Sequence, residues 1–216
     1  SNRVTPIATN LCKCNTFTFD LFMIRKKIND CIPSFFYSFD TMAPFELCSN
    51  CNRSLNKVHR YFIEKVFKQN SILNKSEIIY EYAICEPCTQ NISGDISSES
   101  KNAIQSLYEL HSEYLFRKLD YLHRTEKYNI ESWIDRCSLT GKETRLCSEY
   151  AVSGIIEDNK LVFELSPLVV SDGFMEKLQS VLSTETKEIL DDLKDQIMGD
   201  SPAVEDFIFS PTSGLI

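Results

Sequence analysis

The chain has 216 residues, 43% of them hydrophobic and 25% charged, with a net charge of -8, the composition of an ordinary globular protein with enough apolar material for one sizeable core or two small ones. A pI near 5.0 opposes broad attraction to the phosphate backbone of nucleic acid. No apolar run approaches the roughly 20 residues needed to cross a bilayer, and no basic-then-apolar leader is legible near the start, so a soluble cytoplasmic protein is expected.

In chain order, Phe17 to Ile28 is strongly apolar and reads as a short helix or a buried strand, with Cys12 and Cys14 ahead of it and Pro33 beyond. The aromatic run Phe35-Phe36-Tyr37-Ser38-Phe39, followed by Pro44, reads as extended or looping chain that enters the pair Cys48-Ser-Asn-Cys51. Val58 to Phe67 is β-branched and aromatic enough for a strand, with a helix as runner-up; Ile78 to Ile84 is a clearer strand that delivers the chain into Cys85-Glu-Pro-Cys88. The polar run Asn91 to Ser98, with Gly94 inside it, reads as a break that stops any helix from starting at Cys85.

Ser98 to Arg124 reads as one long helix, because Ile104, Leu107, Leu110, Leu115, Leu119 and Leu122 recur at three- and four-residue steps behind a cap at Ser97 or Ser98. The helical pattern stops around Trp133. Gly141 marks a turn between Cys137 and Cys147, and Tyr150 to Gly154 and Lys160 to Leu165 read as a second patch of strands. Phe174 to Leu182 and a second segment capped by Ser183 or Thr184 read as helices, the latter with a stripe at Ile189, Leu190, Leu193 and Ile197, an acidic outer face and a stop at Gly199. The apolar tail Phe207 to Ile216 is expected to pack on the body or on another subunit.

The expected fold class is α+β: an N-terminal segment (1–44) packed on the body, a small β-rich four-cysteine module (45–92), and a mostly helical body (93–216) with a hairpin region at about 137–166 and C-terminal helices, with one continuous globular unit as the alternative division.

Two Cys-x-x-Cys pairs in one chain point to a single structural zinc ion held by Cys48, Cys51, Cys85 and Cys88, since paired thiolates at this spacing turn both sulfurs toward one cation. These knuckles resemble those of the zinc-ribbon and treble-clef families over about residues 45–90, and the resemblance implies metal binding without implying an activity. Nine cysteines is an odd count that suits a reducing compartment better than a disulfide framework. A second four-sulfur set is conceivable from Cys12, Cys14, Cys137 and Cys147, although neither pair has knuckle spacing and buried cysteines commonly just fill a core; Cys31 has no partner in either set. Cys85 and Cys88 alone also read as a thiol–disulfide pair, an iron centre takes the same four sulfurs, and unligated thiols are the remaining reading.

Neither a catalytic residue nor a cofactor site beyond the zinc is legible. His59, His111 and His123 sit in no catalytic context, and Asp120 with His123, three apart on one helix face, reads as solvated surface. Arg53, Lys57, Arg60, Lys65, Lys68 and Lys75 stand against only Glu64, a local basic face that most simply belongs to solvated hairpin positions. The function expected is a non-enzymatic protein-interaction module with a protein partner and with a homo-oligomer as a further option. The alternatives are an enzyme with its site between the zinc module and the second β patch, a thiol–disulfide oxidoreductase, and a nucleic-acid-binding zinc protein, which the net charge disfavours.

Overall fold

The structure, a computed structural model, describes residues 27–70 and 75–198. Cys12, Cys14, most of the Phe17–Ile28 element, Gly199 and the tail from Phe207 lie outside the described residues.

The α+β expectation holds, and its two β regions are one sheet. Strands β1 (Lys27–Ile28), β2 (Arg60–Asn70), β3 (Lys75–Cys85), β4 (Glu149–Glu157) and β5 (Lys160–Phe163) lie in the order β1-β5-β4-β2-β3, and β6 (Leu168–Ser171) also pairs with β4. Every pairing is antiparallel. The join is made by β2 against β4, with Arg60 opposite Glu157 and Lys68 opposite Glu149. No local pattern announces a contact between segments so far apart, because register is set by which faces are buried. The chain leaves β4 through Asp158 and Asn159, both in the left-handed region at φ 47 and 60, as a tight hairpin into β5 requires.

Helix α1 (Glu86–Asp95) starts directly from β3, followed by α2 (Ser98–Arg124), the short α3 (Ile130–Ile134), α4 (Asp172–Val181) and α5 (Thr184–Met198). One expectation is corrected here. Polar Asn91 to Ser98 does not prevent a helix at Cys85: Pro87 and Glu86 favour the first turn, Thr89 and Ile92 face inward, and the polar residues occupy the outer side. The helical pattern does stop around Trp133, because the short α3, capped by the Asn129 side chain accepting from Ser132 N at 2.9 Å, ends at Ile134. Helix α2 matches its expected bounds, with the Ser97 hydroxyl accepting from Ser100 N at 3.1 Å.

The core runs from the β2–β3 hairpin through α2 to α4 and α5, around fully buried Phe36, Tyr61, Ile63, Trp133, Phe163 and Phe174. Gly154 in β4 exists for this packing. A Cβ there would stand 2.6 Å from two ring carbons of Phe36, whose ring is buried and held edge-on against Phe35 at 5.1 Å. Gly154→Ala is therefore expected to cost about 1–3 kcal/mol through overpacking, read as a lower denaturant midpoint at unchanged slope; a neutral substitution would show that the ring moves freely.

At the α4 N-terminus the partly buried Asp172 carboxyl is held well below the usual carboxylate range. Burial pushes the Asp172 carboxyl up, but the Lys142 ammonium at 2.8 Å, the Ser148 and Gly173 N–H groups and the Ser148 hydroxyl outweigh it and bring the group down to about 2. A carboxyl held below its ordinary 3.8 contributes stability that is present above that value and disappears as pH falls toward 2. Asp172→Asn is expected to cost about 1–3 kcal/mol near neutral pH, with the gap to wild type closing between pH 4 and 2 in acid-unfolding curves. A gap that stays constant down to pH 2 would remove the ionic explanation.

Candidate metal centre

The first cysteine pair lies on a tight loop and the second at a strand-to-helix junction. Cys48 N donates to Arg53 O at 2.8 Å and Asn52 N to Cys48 O at 2.9 Å, which closes the loop, and Asn52 takes the left-handed conformation at φ 57 that the reversal demands. Ser49 then fastens the loop to β3: its N–H donates to Ala83 O at 2.8 Å, and its hydroxyl accepts from Ala83 N at 3.1 Å. Sequence reasoning missed Ser49, and a lone serine after a cysteine carries no distinguishing signal. Two residues beyond Ala83, Cys85 occupies the N-cap of α1, so Cys88 falls in the first turn.

The structure brings together all four cysteines named from the sequence. Cys48, Cys51, Cys85 and Cys88 have their sulfurs within 4.8 Å of one another, and the group can hold a metal ion. The Cys51 and Cys85 sulfurs are 3.8 Å apart, which is the edge of a tetrahedron with metal–sulfur bonds of about 2.3 Å. Cys48, Cys85 and Cys88 are buried and Cys51 reaches the surface.

Electrostatics of the cluster suit a cation. Burial drives the Cys48 thiol up, but N–H groups at Cys85, Cys51 and Asn50 outweigh it and draw it down to about 7; Cys85 N stands 3.4 Å from the Cys48 sulfur. Cys85 and Cys88 are both pushed up, chiefly by burial and further by their thiol neighbours. Packing thiols this closely penalises negative charge on all of them at once. A divalent cation at their centre reverses that penalty, and the N-terminus of α1 adds its positive end.

The other singled-out residues do not assemble. Cys137 and Cys147 are buried, with the Cys147 thiol pushed up to about 11 by burial and its sulfur donating to Glu143 O at 3.5 Å. Among the described residues they belong to no metal-ligand group. Cys31 is exposed. Asp120 pairs with Arg124 at 2.9 Å, whereas His123, expected on the solvated surface, is buried against Tyr128 and Trp133 with Nε2 3.4 Å from Glu164 O. The chain after α2 folds back over it. His59 is exposed and paired with Asp158 at 2.9 Å, which raises its pKa, and His111 lies edge-on to Phe174.

The basic segment is also corrected. Lys65 and Arg60 are not solvated: Lys65 is buried and paired with Glu81 at 2.7 Å, Arg60 is only partly exposed and paired with Glu157 at 2.9 Å, and exposed Lys68 reaches Glu149 at 3.5 Å.

What fold and site define together is an α+β protein with a four-cysteine cluster able to hold a metal ion. No helix among the described residues is long and apolar enough to cross a membrane. Comparison with protein-family models, curated proteins and solved structures returned no match.

Proposed function

We propose that the chain is a non-enzymatic protein-binding module in which one zinc ion, held by Cys48, Cys51, Cys85 and Cys88, locks the Cys48–Arg53 loop to the junction of β3 and α1. The observation that carries this reading is the mutual spacing of the four sulfurs, within 4.8 Å, on a loop and a helix start. A knuckle, a hairpin and a helix whose first turn supplies the last ligands is similar to the treble clef, more than to a ribbon with two loop knuckles. Four thiolates complete a tetrahedral shell and leave no coordination position for water or substrate, so the ion stabilises and does not catalyse. Sites of this kind need reduced thiols, in keeping with a cytoplasmic protein.

A thiol–disulfide role is disfavoured by the same geometry. Cys85 and Cys88 are both buried and gathered with Cys48 and Cys51 into one group with sulfurs within 4.8 Å, whereas a redox pair stands alone with an accessible nucleophile. A protein partner is favoured over nucleic acid because three cations of the basic segment are already paired across the sheet. The turn closed by Ser38 N on Ala43 O at 2.8 Å also presents Phe39 and Met42, 64% and 75% exposed, the kind of apolar anchors that protein interfaces use.

Elemental analysis of protein purified without added metal tests the reading. About one zinc per chain is expected, with the four thiols shielded from a thiol reagent until a chelator is added. Iron at the same stoichiometry would replace zinc in this reading, and metal-free folded protein with freely reactive cysteines would overturn it.

A further inference from the structure

The knuckle loop has a counterpart elsewhere in the chain. The loop Cys137–Lys142 repeats the loop Cys48–Arg53 bond for bond: Cys137 N donates to Lys142 O at 2.8 Å and Gly141 N to Cys137 O at 3.0 Å, with Gly141 left-handed at φ 75 where Asn52 is at 57. Each loop is flanked by an isolated bridge, Leu47 to Ser54 and Arg136 to Glu143, then by a 3-10 turn, Leu55–Lys57 and Thr144–Leu146, then by a long strand from Arg60 or Glu149. The step between the two is constant, from 48 to 137 and from 60 to 149.

The return half repeats as well. Ser138 N donates to Val169 O at 2.8 Å and its hydroxyl accepts from Val169 N at 2.9 Å, as Ser49 does with Ala83. Tyr150 lies opposite Ser171 as Tyr61 lies opposite Cys85, and Ser171 occupies the N-cap position of the ten-residue α4 as Cys85 does in the ten-residue α1.

The two units face each other as an isologous pair does. Strands β2 and β4 pair about Glu64 opposite Ser153, so Arg60–Glu157 on one side answers Lys68–Glu149 on the other. Beyond α1 and α4, the caps of the following helices meet: the Ser97 and Ser183 hydroxyls are 3.0 Å apart, Ser97 N donates to the Thr186 hydroxyl at 3.2 Å, and Ser183 N donates to the Ser100 hydroxyl at 2.9 Å. Each helix start thus caps the other about one approximate two-fold axis.

In this correspondence the four ligand positions Cys48, Cys51, Cys85 and Cys88 map onto Cys137, Thr140, Ser171 and Phe174. We infer that the chain is a fused pair of one cysteine-clef unit, and that Cys137, Thr140, Ser171 and Phe174 form the framework of a second thiophilic-metal site in which side-chain contacts do the work of the ion. The Thr140 and Ser171 oxygens are 3.4 Å apart where the Cys51 and Cys85 sulfurs are 3.8 Å apart. Phe174, fully buried and packed edge-on against Tyr108 and His111, stands at the chain position of the fourth ligand. Lys142 on the loop binds Asp172 on the helix at 2.8 Å, a direct tie between the two parts that a metal would otherwise hold together. This inference rests on the metal reading of the first cluster only for the chemistry assigned to the second.

The test is to restore thiolates at the mapped positions in the full chain. Thr140→Cys/Ser171→Cys/Phe174→Cys, loaded with zinc or cobalt(II) and desalted, is expected to hold one equivalent more than wild type, with the visible bands of tetrahedral cobalt thiolate doubled in intensity. The variant Thr140→Cys/Ser171→Cys keeps the buried Phe174 ring and, with Cys137, offers three thiolates; it is expected to gain one weaker cobalt equivalent even where the triple variant fails to fold. If neither variant gains metal over wild type, the inference is overturned. Wild-type metal content separately decides the first reading, because the second is scored as a difference: a wild type with no metal and a variant with one equivalent would sink the proposed clamp and keep the duplicated framework.

Discussion

Cys85→Ser is expected to release the metal and to lower stability by at least about 3 kcal/mol, a large part of the net stability of a domain this size. Two losses combine. Cys85 joins β3 to α1 and its sulfur faces Cys51 at 3.8 Å, so removing it opens the coordination shell at the point where sheet and helix meet. It is also fully buried, and a serine hydroxyl placed there is a polar group without an arranged partner. Cys51→Ser separates the two effects, because Cys51 is exposed and its replacement weakens the metal without disturbing the core. The expected order is wild type, then Cys51→Ser, then Cys85→Ser, in both retained zinc and denaturant midpoint. Equal midpoints for all three, with zinc lost from both variants, would show that the ion contributes nothing to folding.

The cluster was legible in the sequence because its geometry is mostly local. Each Cys-x-x-Cys pair sets two sulfurs by itself, and the β-branched run Ile78 to Ile84 leads straight to the second pair. Helix α2 was legible for a similar reason, since a long apolar period needs no tertiary information. Helix α1 was not, because Gly94 and the polar run around it lower propensity, while tertiary burial of Thr89 and Ile92 decides the outcome. The basic segment misled in a comparable way: Glu157 and Glu149, which neutralise Arg60 and Lys68, stand far along the chain and meet them only through the β2–β4 register. The duplication was hidden more deeply. Over 47–67 and 136–156 only Cys48/Cys137, Ser49/Ser138 and Tyr61/Tyr150 are identical, and the backbone hydrogen bonds that reveal the correspondence leave almost no trace in residue type.

Lys65→Met is expected to cost about 3–5 kcal/mol, the second large effect after loss of the metal ligand. Lys65 and Glu81 are direct cross-strand partners on β2 and β3, with side chains only 3% and 12% exposed and an ion-pair distance of 2.7 Å. The pair also secures the chain ahead of the knuckle: Lys65 Nζ donates to Tyr37 O, and Glu81 Oε1 accepts from Phe39 N at 2.6 Å. Removing the ammonium alone leaves a buried carboxylate without its cation and the Tyr37 carbonyl without its donor. Removing both charges, as in Lys65→Met/Glu81→Leu, eliminates the uncompensated charge and is expected to recover more than half of the loss. The double-mutant cycle isolates this coupling from lost packing. A double variant as unstable as the sum of the singles would refute the coupling, while a single-variant cost below about 1 kcal/mol would mean that the pair behaves as a surface bridge. Bound zinc should stay at wild-type level in both, because Lys65 lies four residues along β2 from Tyr61, the residue opposite Cys85. What is lost instead is the anchor of the turn that presents Phe39 and Met42, so weakened partner binding at unchanged metal content would assign the ion and the ion pair separate tasks in one sheet.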